Sequence, residues 1–149
     1  MLIEGEVRLR VRYAETDRMG VVYHANYLVW MEIGRVELCR SAGLRYRDME
    51  ENDGVLLTVA EVSCRYLAPA RYDEEVTVHT TITQASSRLV RFGYEMTSVE
   101  PARKVATGLS THIFCAADLR RRRLPAKYWP VFGIDSSKPD WQETGHLLS

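Results

Sequence analysis

The sequence predicts an α+β domain in which one long apolar helix covers an antiparallel sheet. Three observations lead there. A single alternating stretch precedes residue 14, a helical apolar period runs from about residue 25 to 42, and four long strand-like runs follow to about residue 118. Such a sheet needs cover on its apolar face, and one helix is available to supply it.

The first strand is expected over residues 5–13. Val7, Leu9, Val11 and Tyr13 share one face, and Glu6, Arg8, Arg10 and Arg12 share the other. Residues 14–23 have no clean period and contain Gly20, so they read as a loop. The helix follows, with Leu28, Met31, Leu38, Cys39 and Ala42 on one broad face, widened by Trp30, Ile33 and Val36. A helix this apolar is expected to be wrapped on most sides. Glu32 with Arg35, and Glu37 with Arg40, are spaced as i,i+3 pairs on the remaining strip. Gly43 stands where a left-handed residue ends a helix. A short second helix is expected over Tyr46–Asn52, before Asp53-Gly54 turns the chain.

The later strands are expected over Val55–Leu67, Glu75–Thr83, Arg88–Val99 and Lys104–Ala116. In the last of these Val105, Thr107, Leu109, Thr111, Ile113 and Cys115 share a side. The short links Gln84–Ser87 and Glu100–Arg103 suggest hairpins. Beyond Leu119 the character changes to an arginine run, Arg120–Arg123, then Pro125, Trp129, Pro130, Pro139 and Trp141. Irregular structure or a short helix is expected there, partly disordered at the end, with one domain over residues 1–130 and a C-terminal tail over 131–149.

The chain has 149 residues, enough for one domain with a core of its own. Lys and Arg total 20 and Asp and Glu total 20, so no basic field exists to hold nucleic acid or an anionic membrane. The opening Met-Leu-Ile-Glu-Gly-Glu-Val lacks a signal-peptide pattern, and no apolar run reaches the length of a membrane span. Cys39, Cys64 and Cys115 lie far apart, and three cysteines cannot all pair within one chain. A reducing cytoplasm is the expected home. His79 and His112 have no metal-ligand spacing, and no metal is expected.

The chemistry concentrates in residues 13–27. A strand ends, a loop carries Asp17, and an apolar helix begins just beyond His24. A helix start presents free N–H groups and a positive dipole end, which together stabilise an oxyanion. A carboxylate upstream supplies an oxygen nucleophile or base. On the residues alone, an N-cap or turn role for Asp17, a surface or capping role for His24 and a plain turn at Gly20 are the commoner uses of such residues.

Tyr13-Ala-Glu-Thr-Asp17-Arg-Met-Gly20-Val-Val-Tyr-His24-Ala-Asn-Tyr27 resembles the signature of the 4-hydroxybenzoyl-CoA thioesterase-like family. Within it the chain is most similar to the branch of Tol–Pal-associated acyl-CoA thioesterases. The resemblance continues through Tyr66–Asp73, Ser87–Phe92 and Thr111–Cys115, and ends near Leu124-Pro125. It implies a hotdog fold, a long central helix wrapped by a curved five-stranded antiparallel sheet, and hydrolysis of acyl-CoA to free acid and coenzyme A. Asp17 then attacks the thioester or activates water, and the backbone N–H at His24 meets the thioester carbonyl. Whether the His24 imidazole also acts is left open. Gly20, Tyr23, Asn26 and Tyr27 complete the motif as substrate-binding candidates. Asn26 alternatively orients the loop, and Tyr23 or Tyr27 alternatively packs in the core. Val59 and Glu61 join them because that strand approaches the partner's site in hotdog dimers; Glu61 reads rather more readily as an outward-facing strand residue.

The resemblance also implies a homo-oligomer, a dimer at minimum and commonly a tetramer. No cofactor is expected, since coenzyme A belongs to the substrate. Its phosphates match basic residues at a cleft mouth, here Arg88, Arg91, Arg120 and Arg121. An acyl-carrier protein remains a second possible donor. Two other readings stand beside hydrolysis. One is a hotdog hydratase or dehydratase, which requires a histidine with an acid partner. The other is a non-catalytic acyl-CoA-binding module, which has no use for Asp17.

Overall fold

In the computed structural model, residues 3–135 and 137 are described. The elements run β1 (Glu4–Arg10), a 3-10 turn (Tyr13–Glu15), α1 (Asn26–Ser41), α2 (Tyr46–Asp53), β2 (Leu56–Tyr66), β3 (Glu75–Ala85), β4 (Leu89–Ser98), β5 (Arg103–Cys115), a second 3-10 turn (Ala126–Tyr128) and α3 (Trp129–Phe132). The strands form one five-stranded antiparallel sheet of order β1-β3-β4-β5-β2. Both links expected to be hairpins are hairpins. Among the described residues no helix is long and apolar enough to cross a membrane.

Helix α1 lies against β1, β3 and β4 and buries Tyr27, Trp30, Met31, Leu38 and Cys39. Two glycines allow the approach. A Cβ on Gly34 would collide with the Thr80 hydroxyl and sit 2.9 Å from Val78 Cγ1. A Cβ on Gly108 would collide with Met31. The opposite face of α1 is uncovered in the single chain, where Leu28 is 37%, Val29 44% and Ile33 37% exposed. The sheet therefore wraps one side of the helix rather than most of it.

Several local expectations change. β1 ends at Arg10, and Tyr13 opens the 3-10 turn with its ring 78% exposed, because the chain leaves the sheet at Val11, whose N–H bonds Glu74 O at 2.9 Å. On β5 the inward face is Ala106, Gly108, Ser110, His112 and Phe114, not the more apolar set of Leu109 and Ile113. The register explains it. Met96 pairs with Ala106, Tyr94 with Gly108, and Phe92 with Ser110, so bulky β4 side chains and Met31 already fill that space. Glu37 pairs with Arg40 as expected, but Arg35 turns inward and donates from Nη1 to the Tyr94 hydroxyl at 3.3 Å. The chain continues through a buried Tyr94–Ser110 contact of 2.6 Å to Ser110–His112 Nε2 at 2.7 Å. A polar relay thus crosses the core between helix and sheet, each member holding a partner.

All three cysteines are free. Burial pushes the Cys39 thiol up to about 11, which keeps it an inert small hydrophobe beside Tyr46.

After β5 the chain folds back over the end of α2. Arg122 donates to Asp53 O, Lys127 Nζ lies 2.9 Å from Asp53 Oδ1, and the Tyr128 hydroxyl donates to Asp53 Oδ2. These contacts hold the Asp53 carboxyl below the usual range, the Tyr128 hydrogen bond first. Packing continues beyond residue 130: Phe132 is buried against Phe114, ring centroids 5.7 Å apart, and Ile134 joins the same core. The expected disorder at the chain end, with Pro139 and Trp141, lies outside the described residues.

Candidate active site

The stretch between β1 and α1 is a small pinned hairpin rather than a free loop. Thr16 bridges Val22, Val21 bridges Arg71, and the Val22 N–H bonds Ala70 O at 2.9 Å. Its tip is a tight turn in which the Asp17 N–H bonds Val21 O at 2.8 Å and the Gly20 N–H bonds Asp17 O at 3.0 Å. Gly20 takes φ +78°, which an L side chain rarely adopts, so the turn calls for glycine at this position.

Asp17 caps no helix. Its Oδ1 accepts the Met19 N–H at 2.8 Å, an Asx turn that fixes the carboxyl and leaves Oδ2 without a partner among the described residues. On one side it shares a cleft of about 360 Å³ with Val21, His24, Tyr27, Tyr66, Leu67 and Pro69. On the other it lines a more open hollow of about 710 Å³ with Tyr13, Thr16, Arg18, Tyr23 and Asn26. A partly exposed carboxylate between an apolar wall and a polar hollow suits attack on, or water delivery to, a bound carbonyl.

The helix start supplies the second part. α1 begins at Asn26 after an Ala25 cap that has no side-chain hydrogen bond. The Asn26 N–H goes to Tyr23 O at 2.9 Å and the Tyr27 N–H to His24 O at 3.4 Å. Among the described residues no acceptor takes the N–H of His24 or of Ala25. Two adjacent donors therefore stand at the positive end of the helix. The Tyr66 hydroxyl, at the end of β2, donates to His24 O at 2.9 Å and holds this turn. The His24 ring is exposed, lies 4.4 Å from Tyr23 and 6.4 Å from Tyr66 between centroids, and meets no carboxylate among the described residues.

The remaining candidates divide. Tyr27 is 3% exposed, edge-on to Tyr66 at 5.2 Å, and forms cleft floor and core together; burial raises its hydroxyl above the ordinary range. Tyr23 is 48% exposed and lines the hollow. The Asn26 amide is committed to the loop, donating to Glu15 O at 2.9 Å. Val59 and Glu61 are exposed on β2, an edge strand, on either side of a bulge at Ala60, and neither lines the Asp17 clefts of its own chain.

The basic candidates also divide. Arg88 and Arg121 meet at a cleft of about 280 Å³, with Arg122 and Arg123 at its rim and Leu89, Ile113 and Phe114 beneath. Arg91 and Arg120 stand outside it, Arg120 paired with Asp118 at 3.5 Å. This cleft is not beside Asp17. Leu57 pairs with Phe114 and Tyr66 with Ala106, so the two sites sit at opposite ends of β2, roughly 30 Å apart at the rise of a strand.

Residues missed from the sequence are Glu15, whose carboxyl accepts the Trp30 indole N–H at 2.9 Å, and Tyr66 as the holder of the His24 turn. A signal for the first was present. Trp30 on an apolar helix needs an acceptor for its N–H.

Comparison with known proteins identifies the family. The family model described as thioesterase-like superfamily matches residues 11–136. A putative acyl-CoA thioesterase, YneP of Bacillus subtilis, is 44% identical over 133 residues, spanning 89% of this chain and 88% of its own. The crystal structure of a DHNA-CoA thioesterase from Staphylococcus aureus superposes with a TM-score of 0.79 at 30% identity, covering 97% of this chain and 90% of that one. A hypothetical protein from Thermus thermophilus gives 0.80 at 36% identity, covering 87% and 95%.

Proposed function

The chain belongs to the thioesterase-like superfamily, and from that premise we propose that it hydrolyses acyl-CoA thioesters to free acid and coenzyme A at Asp17. One observation carries the assignment of the site: the Asp17 carboxyl, with Oδ2 unengaged among the described residues, shares a cleft with the helix-start turn whose His24 and Ala25 N–H groups have no acceptor among them. The carboxylate attacks the thioester carbon or takes a proton from the water that does. The two N–H groups receive the charge that grows on the carbonyl oxygen. The coenzyme A thiolate then leaves without needing a general acid, so the exposed His24 ring has no obligatory role. The free acid departs after water has completed the transfer.

The uncovered apolar strip on α1, with Val59 and Val62 on the open β2 edge, supports pairing of two chains along β2. Antiparallel pairing of those edges brings the arginine cleft of one protomer toward the Asp17 end of the other. This resolves the 30 Å separation, and it gives Val59 and Glu61 access to the partner's substrate. The phosphates of coenzyme A are then held by Arg88 and Arg121. A dimer is the minimal active form and a dimer of dimers the expected assembly. The three unpaired cysteines fit a cytoplasmic protein.

Replacing Arg88 and Arg121 together with Gln removes two charge-assisted contacts and is expected to raise KM for acyl-CoA about tenfold or more with kcat kept. Steady-state kinetics reads it, and an unchanged KM removes the arginines from substrate binding.

The reaction itself is tested with a panel of short, long and aromatic acyl-CoA substrates, acyl-carrier-protein thioesters and crotonyl-CoA. Thiol release and double-bond absorbance are followed together. Thiol release in step with acid formation is the expected outcome. Loss of the crotonyl double bond without thiol release identifies a hydratase, and binding without turnover identifies a carrier module. Among the described residues the His24 ring meets only Tyr23 and Tyr66 and no carboxylate, which argues against the hydratase, since that chemistry needs a histidine–acid pair.

A further inference from the structure

Glu15 makes an unusual set of contacts for a residue in a surface turn. Its side chain is almost wholly buried, at 5% residue exposure. One carboxyl oxygen accepts the Arg12 N–H at 2.8 Å and lies 3.5 Å from Arg12 Nε. The other accepts the indole N–H of Trp30, itself fully buried in the second turn of α1, at 2.9 Å. Its backbone carbonyl accepts twice, from the Tyr23 N–H at 2.8 Å and from the Asn26 amide at 2.9 Å.

Those partners bracket the site. Arg12 is where the chain leaves β1, Tyr23 and Asn26 flank the His24–Ala25 turn, and Trp30 fixes the body of the helix. Asp17 follows Glu15 by two residues. The acid and the two free N–H groups reach the reacting carbonyl from different segments, and Glu15 is the residue that ties both segments to α1.

We propose that Glu15 is a positioning residue for thioester hydrolysis, setting the Asp17 carboxyl against the His24–Ala25 N–H pair. The proposal rests on the Asp17 assignment above. Both side-chain partners are N–H donors, so the position calls for a group that only accepts. A glutamine there turns an amide NH₂ toward one of the two donors, a mismatch that tilts the turn while leaving the volume of the side chain intact. Displacement of a reacting group by about an ångström is enough to cost about 100-fold in rate.

Glu15→Gln is measured with the best acyl-CoA substrate at a temperature where circular dichroism shows it fully folded. The expected result is a kcat roughly 10- to 100-fold below the parent with KM within about twofold. Amide hydrogen exchange is expected to quicken in residues 16–25 while the sheet keeps its protection. A Glu15→Gln protein with parental kcat overturns the proposal, as does one that loses only thermal stability. Where Glu15→Gln does not fold, Trp30→Phe keeps an aromatic ring at the position, though a smaller one, and deletes one donor. It is expected to lower kcat in the same direction by a smaller factor, and a parental kcat in that variant overturns the proposal equally. Asp17→Asn in parallel separates the two claims. Full activity in Asp17→Asn defeats the assignment of the acid, whereas an inactive Asp17→Asn beside an unimpaired Glu15→Gln defeats the positioning role alone.

Discussion

Lowering the pH from 7.5 to 5.0 is expected to destabilise this protein by about 2 kcal/mol through one residue, His112. The imidazole is 1% exposed, hydrogen-bonded to Ser110 Oγ and edge-on to Phe92 with centroids 5.4 Å apart. Burial, with a smaller effect from the Arg35 charge, lowers its pKa to about 3. An unfolded chain protonates the same group near 6.5. Below that pH the unfolded state takes up a proton that the folded state refuses, so stability falls at about 1.4 kcal/mol per unit until the folded value is reached. Above pH 7 both states are neutral and the effect vanishes. The window from 7.5 to 5.0 is useful because most carboxylates stay ionised across it. His112→Gln keeps an acceptor and a donor for Ser110 and removes the titration. Urea denaturation of both proteins at the two pH values measures the difference. The parent is expected to lose about 2 kcal/mol and the variant to stay level; equal slopes would place the acid sensitivity elsewhere.

That histidine also shows what the sequence conveys and what it withholds. Alternation found β5 but ranked its faces by hydrophobicity, which put Leu109 and Ile113 together and left His112 as an isolated polar residue. The inward face is decided by volume instead. Met96, Tyr94 and Phe92 oppose Ala106, Gly108 and Ser110, and Gly108 must leave room for Met31. Complementarity between strands far apart in sequence leaves no periodic mark on either. Arg35 was misplaced for a related reason, since its spacing from Glu32 fits a surface pair and its real partner lies 59 residues away on β4.

Local signals fared better. Gly43, at φ +95°, closes α1, and Gly54, at φ +63°, closes α2, close to where helix-stop chemistry places those ends. The motif from Tyr13 to Tyr27 marked Asp17 and the helix start, because acid, turn glycine and helix entry are contiguous in the chain. It did not reveal that the loop is a hairpin pinned to Ala70 and Arg71, nor that Glu15 anchors it. Those ties run to β1, to the β2–β3 link and to the helix interior, so no spacing within the motif encodes them. Of the four arginines grouped for their charge, Arg88 and Arg121 share a cleft and Arg91 and Arg120 do not, and the position of that cleft at the far end of β2 from Asp17 required the strand register.

Asp17→Asn is the most direct test of the account. The substitution keeps size and leaves the amide oxygen able to accept from the Met19 N–H, so the turn is expected to survive with unchanged circular dichroism. It removes the proposed nucleophile or base. Loss of a group in that role costs about 10²- to 10⁴-fold in kcat. KM is expected to hold, since the apolar wall of Tyr27, Tyr66 and Leu67 is untouched. His24→Ala provides the internal reference, because it deletes the ring and retains the backbone N–H; a loss of no more than about tenfold is expected. The decisive measurement is acyl-CoA hydrolysis by folded Asp17→Asn, followed as thiol release beside the parent enzyme. A kcat lowered at least 100-fold with KM preserved is the predicted result, and turnover near the parental rate would contradict the placement of the chemistry at Asp17.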